Sequence, residues 1–373
     1  MPASELPDFA DELLTAVAGL DAPRVDTPLI QPAEPFLDMA GEDLRRRIYL
    51  TENERGDSLC LRPEFTIPVC IAHIARQETT PRRYSYLGQV FRQRREGGNE
   101  FYQSGIEDLG ETDTASADAR SIAEAFTLIG QLLPDQNLSV VMGDQAVFEA
   151  VVAGLGLPPG WQTRLIHAFG DTQSLEAMIA ALSAPQDTAI GKGDIRELVA
   201  AGDLATLSEH IGAAMDEMGF STHASRAPDE IAARLIDKTR LDNTRLSDAA
   251  LAALKAFLAL ESPLVEAAVR LQGFADQTGL DIAPALGHFA KRVEKLKALG
   301  VDVSTMGWQA TFGRPLDYYT GLVFEISGGP DGAVLAGGGR YDRMLTLLGA
   351  KEPIPAVGFS FWIDRIEAAR SGR

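Results

Sequence analysis

The sequence has few cysteines, and it lacks a long apolar run and a basic leader. Cys60 and Cys70 are its only cysteines, too few for a disulfide framework and without the spacing of a metal site. No apolar stretch reaches the ~18 residues that a membrane-spanning helix needs. The first eight residues lack the basic and apolar regions of a secretory signal. These absences predict a protein of the reducing cytoplasm, without a membrane segment or a structural metal.

Common signatures of catalysis and phosphate binding are missing too. Gly337-Gly338-Gly339 invites a phosphate-loop interpretation, but no Lys-Ser or Lys-Thr pair follows it. No serine or cysteine nucleophile motif is present. The histidines show no ligand spacing and are better interpreted as surface or hydrogen-bonded core residues: His73, His167, His210, His223 and His288. We therefore expect no metal and no cofactor.

Positive charge is scarce. The chain has 53 acidic and 34 basic residues, a formal net charge of -19 and a sequence pI of about 4.7. A field of that sign repels phosphate backbones at long range, so we expect no tRNA partner.

The pattern of elements predicts an α+β fold, with a mostly antiparallel sheet flanked by helices. At 373 residues the chain can form two domains, or one large domain with an inserted lobe. From about residue 147 to residue 300, alanine and leucine dominate and helical periodicity is nearly continuous, which predicts a helical insertion. Outside it, strands are expected at Arg45 to Leu50, Ser58 to Leu61, Gly307 to Ile326, Ala333 to Arg340 and Pro355 to Phe361. Arg24 to Met39 contains several prolines and is expected to be extended.

A hairpin is the most informative part of the chain. Tyr84 to Phe91 and Phe101 to Leu109 are rich in aromatic and β-branched residues, and Gly97-Gly98-Asn99 supplies a turn between them. Side chains alternate along a strand, so Gln103 and Glu107 share one face.

Gly105 lies between those two residues and is expected to leave floor space for a small polar ligand. The guanidiniums expected near the rim are Arg92, Arg94 and Arg95. A pocket with one acid, one amide and several guanidiniums suits a zwitterion or a phosphate. The alternative is an exposed charged hairpin.

Two further groups could recognise a ligand. Glu64 and Thr66 are spaced so that both can face one site, where a carboxylate and a hydroxyl would receive an ammonium group. Alternatively, Thr66 caps the following helix and Glu64 adds favourable charge there; taken in isolation, the capping interpretation is the better supported. Arg314, with Asp317, Tyr318 and Tyr319, could clamp a carboxylate and pack on a flat ring. The alternative is an ordinary strand with a surface arginine.

Taken in order, these segments resemble the catalytic domain of class II histidyl-tRNA synthetase. L-R-P-E-F-T resembles the loop that binds the ammonium of histidine, and F-R-Q-R-R through Q-S-G-I-E resembles motif 2. R-P-L-D-Y-Y and G-G-G-R-Y-D resemble the two histidine-specific signatures, and P-A-V-G-F-S-F-W-I-D-R-I resembles motif 3. The implied fold is a class II synthetase-like antiparallel sheet flanked by helices. Arg24 to Met39 resembles motif 1, which implies a homodimer.

The resemblance also implies roles for individual residues. Glu64 and Thr66 would hold the ammonium of L-histidine, and Arg314 would meet its carboxylate. The ammonium and imidazole would be surrounded by Gln103, Glu107, Tyr318 and Tyr319. Arg92 would meet the carboxylate or an α-phosphate, and Arg365 would lie on the ATP side.

This chain departs from the synthetase pattern on the nucleotide side. Motif 2 of the synthetases carries an acid where this chain has Arg94, and motif 3 has glycine where this chain has Trp362. Excess bulk in a packed site costs ~1–3 kcal/mol, so ATP binding should be weakened or lost. An anticodon-binding domain is also expected to be absent.

With these departures, the chain resembles the synthetase-like regulatory subunits of ATP phosphoribosyltransferase, the first enzyme of histidine biosynthesis. That resemblance implies a non-catalytic regulatory subunit, which assembles with a short-form catalytic subunit into a hetero-octamer of four plus four chains. It also implies a part in histidine feedback. The alternative is a stand-alone adenylate-forming ligase that binds histidine.

Overall fold

A computed structural model describes residues 6–39, 41–95, 98–184, 194–218, 227–314, 316, 318–329 and 331–371 of the chain. The chain divides into two compact units. The first consists of Met1–Val151, Phe169–Asp171 and Phe257–Arg373, and the second of Val152–Ala168 and Thr172–Ala256.

The first unit contains two sheets. In chain order, the small sheet has strands β1 Ile30–Pro32, β2 Leu50–Glu52 and β3 Ser58–Leu61. The main sheet has strands β4 Arg82–Phe91, β5 Glu100–Leu109, β6 Ser139–Asp144, β7 Glu261–Pro263, β8 Met306–Gln309, β9 Leu322–Gly328, β10 Ala333–Arg340 and β11 Ala356–Trp362.

The main sheet is mixed but mostly antiparallel. Its strand order is β4-β5-β11-β10-β9-β6-β8-β7, and among the described residues only the β6–β8 pair runs parallel. The predicted α+β class is therefore confirmed. The two strands of the predicted hairpin, β4 and β5, pair from Arg82–Leu109 to Phe91–Glu100 and are the longest in the sheet.

Helices account for most of the remaining elements. They are α1 Ala10–Ala18, α2 Glu34–Met39, α3 Glu42–Arg45, α4 Thr66–Arg76, α5 Thr114–Leu132, α6 Gln145–Gly154, α7 Pro159–His167, α8 Thr172–Ser183, α9 Asp194–Ala201, α10 Leu204–Glu217, α11 Pro228–Asp242, α12 Asp248–Leu258, α13 Leu264–Thr278, α14 Ala283–Ala298, α15 Met344–Leu347 and α16 Ile363–Arg370. No described helix is both long enough and apolar enough to span a lipid bilayer.

The second unit packs around its own small core. Buried side chains on α9, α10 and α11 form one apolar cluster: Val199, Leu207, Ala232 and Ile236. Trp161 of α7 also donates its indole N–H to the backbone oxygen of Leu241 at 2.6 Å. The unit therefore has its own buried contacts between helices.

The prediction that Arg24 to Met39 is extended was wrong for its second half. Only β1 is a strand there, and α2 begins at Glu34. Pro35 is compatible with the first turn of a helix, because the N–H that it lacks would have no partner within the helix. Phe36 and Met39 are buried by this turn.

The strand predicted at Arg45 to Leu50 is displaced toward the following turn. Its first residue ends α3, and β2 begins only at Leu50. The side-chain oxygen of Asn53 accepts the backbone N–H groups of Arg55 and Asp57, at 2.9 and 3.0 Å. Because this bonded turn sets the point of chain reversal, the residues next to it form the ladder with β3.

A network of buried charges joins the main sheet to the helices behind it. The Arg292 guanidinium lies 2.9 Å from the Asp118 carboxylate and 2.7 Å from that of Asp144. Arg340, at the end of β10, lies 2.6 Å from the other Asp118 oxygen. Burial alone would raise the pKa of Asp118, but Arg292 and Arg340 hold that pKa well below its ordinary value.

Replacing Arg292 by methionine should strongly destabilise the first unit. The change leaves the Asp144 carboxylate without its guanidinium and removes one of the two that serve Asp118, a loss of ~3–5 kcal/mol for buried pairs. Urea unfolding of Arg292→Met should therefore show a much lower midpoint. The control is Lys291→Met, because Lys291 makes an exposed ion pair with Asp113, and exposed pairs contribute little to stability. Equal midpoints for both variants would contradict this account.

Candidate functional site

One face of the main sheet is lined with glycine. Directly paired residues of antiparallel strands point to the same side of a sheet. Gln103 pairs with Gly88 and with Trp362, and Glu107 pairs with Gly358. The same pairings and strand alternation place Gly105, Gly337 and Gly339 on this face.

The missing Cβ atoms make room for side chains of the site. A Cβ at position 337 would lie 2.8 Å from the Arg314 guanidinium carbon, and one at position 339 would lie 2.8 Å from the Tyr319 ring. A Cβ at position 358 would overlap the Glu107 carboxylate. Gly337 and Gly339 thus support an arginine and a tyrosine, and a Cβ at position 338 would instead meet the backbone of Gly358 and Phe359 on β11. These contacts explain the three glycines without a phosphate loop.

The space above Gly105 is not open floor. The Tyr86 hydroxyl and the Phe359 backbone oxygen occupy it, 2.4 and 2.1 Å from where a Cβ would stand. The expected room for a ligand at this position is therefore filled by the protein. The open space lies beside it, in a cavity of about 300 Å³.

All eight residues predicted to bind the amino acid line this cavity, and so do Trp362 and Arg365. Arg94 is not among the lining residues. Asp317 lies outside the described residues. Sequence reasoning did not include Tyr341, Glu325, Ser360 or Arg47 in the site, although each lines the cavity. Of these, Tyr341 could have been predicted from the sequence, because it belongs to the G-G-G-R-Y-D segment.

Glu64 and Thr66 connect the start of α4 to the cavity. The Glu64 carboxylate accepts the backbone N–H groups of Thr66 and Ile67, at 2.6 and 3.0 Å. Glu64 therefore satisfies the first donors of the helix, and its side chain rather than that of Thr66 provides the cap. The Thr66 hydroxyl instead donates to Glu107 at 2.8 Å.

Glu107 is buried among hydroxyl groups. Its side chain accepts from Thr66, from Tyr86 at 3.3 Å and from Tyr341 through a short hydrogen bond. Burial raises the pKa of Glu107 to about 8, although the hydrogen bonds from Tyr341 and Thr66 oppose this change. Burial also raises the pKa of Glu64. Within the described ranges, no lysine or arginine lies within ion-pair distance of either carboxylate.

Gln103 offers a free acceptor beside these acids. Its residue is 3% exposed, and its side-chain oxygen has no hydrogen-bond partner in the described part of the chain. A buried amide oxygen without a partner is costly, so an N–H group of a ligand would satisfy it.

Guanidinium groups occupy another part of the lining. Arg314 donates to the Tyr319 hydroxyl at 3.1 Å and lies 3.2 Å from a Glu325 oxygen. Arg92 donates to the backbone oxygen of Pro63 at 2.6 Å. Burial lowers the pKa of Arg92 to about 10, so it still carries its charge at neutral pH.

Trp362 fills the region next to Arg314. The indole is 7% exposed, and the guanidinium carbons of Arg314 and Arg365 lie 5.3 and 5.1 Å from its ring centroid. Such distances allow favourable cation–π contacts. Arg365 also donates to the backbone oxygen of Val334 at 2.8 Å.

Arg94 is held outside the cavity lining. Its guanidinium lies 2.8 Å from the Asp364 carboxylate and 3.4 Å from the ring centroid of Phe101. These two contacts tie the β4–β5 hairpin to the start of α16.

The arrangement suits recognition of a small zwitterion with several N–H donors. Carboxylates, an amide oxygen and tyrosine hydroxyls can accept from its cationic groups, and arginines can meet its carboxylate. In the part of the chain that the structure describes, no cluster of three His, Cys, Asp or Glu side chains could hold a metal ion.

Comparison with known proteins gives one consistent result. A family profile described as histidyl-tRNA synthetase matches residues 22–226 and 222–366. The ATP phosphoribosyltransferase regulatory subunit of Allorhizobium ampelinum is 61% identical over 372 residues, with 100% of both chains covered. The proteins of that name from Rhizobium etli strain CIAT 652 and from Agrobacterium fabrum are 59% and 57% identical, with 100% and 99% of both chains covered.

Solved structures agree on the fold. An ATP phosphoribosyltransferase regulatory subunit/histidyl-tRNA synthetase from Bacillus halodurans superimposes with a TM-score of 0.65 at 21% identity, covering 97% of this chain and 78% of that chain. Histidyl-tRNA synthetase from Nostoc sp. PCC 7120 gives 0.62 at 14% identity, covering 98% and 71%. The predicted synthetase-like architecture is therefore confirmed.

Replacing Gly337 by alanine should disturb the site. The new methyl group on β10 would meet the guanidinium of Arg314, and forced repacking of this kind costs ~1–3 kcal/mol. The expected result is a lower urea midpoint. The control is Gly130→Ala in α5, where nothing lies within 4 Å of an added Cβ; alanine there should be neutral or stabilising by ~0.5–1 kcal/mol. If both variants were stabilised alike, the packing of Arg314 on Gly337 would be refuted.

Proposed function

This chain belongs to the ATP phosphoribosyltransferase regulatory subunit family, and on that premise we propose that it binds L-histidine and regulates a catalytic phosphoribosyltransferase partner. Its full-length relatives are named as regulatory subunits and not as enzymes. The proposed task is histidine feedback on the first step of histidine biosynthesis, with no chemistry on this chain.

The observation that carries the proposal is the contrast within one cavity. Glu64, Thr66, Gln103 and Glu107 line it with acceptors, and the Gln103 oxygen still lacks a partner. Beside them the Trp362 indole fills the place where the synthetase pattern has glycine. Such a site can hold an amino acid, but it has little room for a stacked adenine.

In the proposed complex, each group of histidine meets a complementary part of the lining. The ammonium lies between Glu64, Thr66 and Glu107, which are neighbours through the hydrogen bond from Thr66 to Glu107. The imidazole lies near Gln103 and the two tyrosines Tyr318 and Tyr319. The carboxylate meets Arg314, with Arg92 nearby. This placement uses the unpaired carboxylates for the cation, where their burial makes a counter-charge most valuable.

Regulation requires only that the ligand bind two states of an assembly unequally. Histidine at micromolar affinity would supply ~8 kcal/mol of binding free energy. Only the part of that energy that differs between states would reach the catalytic partner.

We propose that this partner is a short-form catalytic subunit and that the two proteins form a hetero-octamer of four plus four chains. The complex is proposed to lie in the cytoplasm and not to bind tRNA. We also propose that the helical stretch from about residue 147 to residue 300 is an insertion in a synthetase-like core.

A homodimer is proposed as the minimum unit of this chain. Strand β1 lies at an edge of the small sheet, and its Ile30 and the preceding Leu29 are 55% and 46% exposed. An exposed apolar edge strand favours pairing with another chain. The symmetric contact between two copies would cover it.

The alternative function is an adenylate-forming ligase. Arg92 and Arg365 both line the cavity, as a nucleotide site would require. Trp362 and the engagement of Arg94 with Asp364 oppose it. Histidine-dependent exchange of pyrophosphate into ATP would be expected of a ligase and not of a regulatory subunit.

Calorimetry on the purified chain should detect histidine binding and no comparable ATP binding. Glu107→Ala should weaken histidine binding at least ~10-fold, because it removes a buried acceptor worth ~1.5–3 kcal/mol with a charged donor. The matched control is Glu266→Ala, an exposed glutamate of α13, which should leave the affinity unchanged. An unchanged dissociation constant in Glu107→Ala would remove that residue from the site. Tight ATP binding with formation of histidyl-adenylate would overturn the regulatory proposal.

Ile30→Glu should convert the proposed dimer into a monomer, because it places a charge on the apolar edge. Analytical ultracentrifugation gives the mass of each species. Leu347→Glu is the control, since Leu347 is 69% exposed on α15 and lies outside the small sheet. A wild-type monomer, or a dimer that persists in Ile30→Glu, would show that this edge is not the contact.

A further inference from the structure

Two buried carboxylates share the cavity, but only one has its charge balanced by the protein. Glu64 receives two backbone N–H groups from the first turn of α4, where the helix dipole favours a negative charge. Glu107 is 1% exposed, and its hydrogen-bond donors in the described part of the chain are all neutral hydroxyl groups. An uncompensated buried charge is costly, so Glu107 needs either a proton or a cation.

Among the described residues, no cation faces Glu107 from the elements packed around it. From α4 it meets Thr66 and Cys70, and from the segment before α4 it meets Glu64. The remaining groups are all tyrosines: Tyr84 and Tyr86 of β4, Tyr318 and Tyr319 before β9, and Tyr341 after β10. Burial accordingly raises the pKa of Glu107 to about 8, which leaves it mostly protonated at neutral pH when the site is empty.

The structure also provides a place for that proton. The Tyr86 hydroxyl lies 3.3 Å from the Glu107 carboxylate and 3.4 Å from the backbone oxygen of Phe359. When Glu107 is protonated, it can donate to the Tyr86 oxygen while Tyr86 turns its own proton to Phe359. When Glu107 is ionised, Tyr86 donates to it instead. Both protonation states are therefore satisfied without moving a heavy atom far.

We propose that the cation of a bound ligand replaces the proton on Glu107, so that each binding event releases a proton to solvent and affinity rises with pH. This inference rests on the proposed histidine site. The balance is simple: the neutral acid and the charged ligand become an ion pair plus one free proton. Because the proton and the ligand compete, affinity is reduced below the pH at which Glu107 ionises and levels off above it. The site would then report histidine and proton concentration together.

The test is calorimetry with L-histidine at pH 7 in phosphate and in Tris, whose heats of ionisation differ. The difference in binding heat should correspond to roughly 0.9 proton released per histidine, and affinity should be about fivefold tighter at pH 8 than at pH 7. The free ligand has a mostly neutral imidazole and a charged ammonium at both values, so the change belongs to the protein.

Two variants separate Glu107 from the other acids. Glu107→Gln keeps an acceptor oxygen but cannot titrate, so proton release and the pH dependence should both vanish. The matched control is Glu266→Gln, which changes an exposed glutamate of α13 that pairs with Arg270 outside the cavity. It should retain the wild-type proton release. Proton uptake, or binding with no proton exchange in the wild type, would overturn the inference while leaving the histidine site intact.

A failure to bind histidine would instead refute the proposed function. The inference about Glu107 is then decided on the free chain by carbon-13 spectroscopy of glutamate carboxyl groups. A signal that titrates at about pH 8 and disappears in Glu107→Gln supports it. A Glu107 signal that titrates near the ordinary glutamate value of ~4.3 overturns it.

Discussion

Contact between side chains and bare backbone determines where the charged groups of this site lie. On most sheets a Cβ at each position keeps other side chains several ångströms from the strand. Here Gly337, Gly339 and Gly358 allow the guanidinium of Arg314, the ring of Tyr319 and the carboxylate of Glu107 to rest against the main sheet. Packing on bare backbone also limits the positions those groups can adopt, because an added methyl would displace each of them. The cavity is what remains beside them.

The two faces of the main sheet treat charge differently. Behind it, Arg292 makes ion pairs with Asp118 and Asp144, and Arg340 makes an ion pair with Asp118. In front, Glu64 and Glu107 have no cationic side chain within ion-pair distance in the described part of the chain. Strand β10 connects the two faces, since Gly339 faces the cavity and the next residue, Arg340, joins the rear network. The ion pairs behind the sheet stabilise the fold. The two carboxylates in front of it would be paired by a cationic ligand.

Much of the architecture could be predicted from sequence alone. The hairpin of β4 and β5 was placed almost to the residue, because long aromatic and β-branched runs and a glycine turn are local signals. Residues far apart in sequence were placed in one cavity through the ordered motifs. The α2 helix was not predicted, because a proline such as Pro35 normally indicates that a helix is interrupted. It is compatible with a helix only in the first turn, and the sequence did not show where that turn lies.

The remaining errors concern contacts that no local pattern encodes. The filling of the space over Gly105 depends on Tyr86 and on a backbone oxygen of β11, some 250 residues away along the chain. The ion pair of Arg94 with Asp364 joins residues 270 positions apart. Such pairings follow from strand register and helix placement, so they become visible only once the sheet is assembled.

Trp362 is the last residue of β11 and directly precedes α16, and this position links the cavity wall to a distant part of the first unit. At the far end of that helix, Arg370 lies 3.1 Å from the Glu12 carboxylate of α1 and donates to the Leu132 backbone oxygen of α5 at 3.1 Å. Eight helical residues span only ~12 Å and behave as a stiff rod. If α1 tilted, α16 would therefore tilt with it and move the indole of Trp362. The size of the cavity would then change.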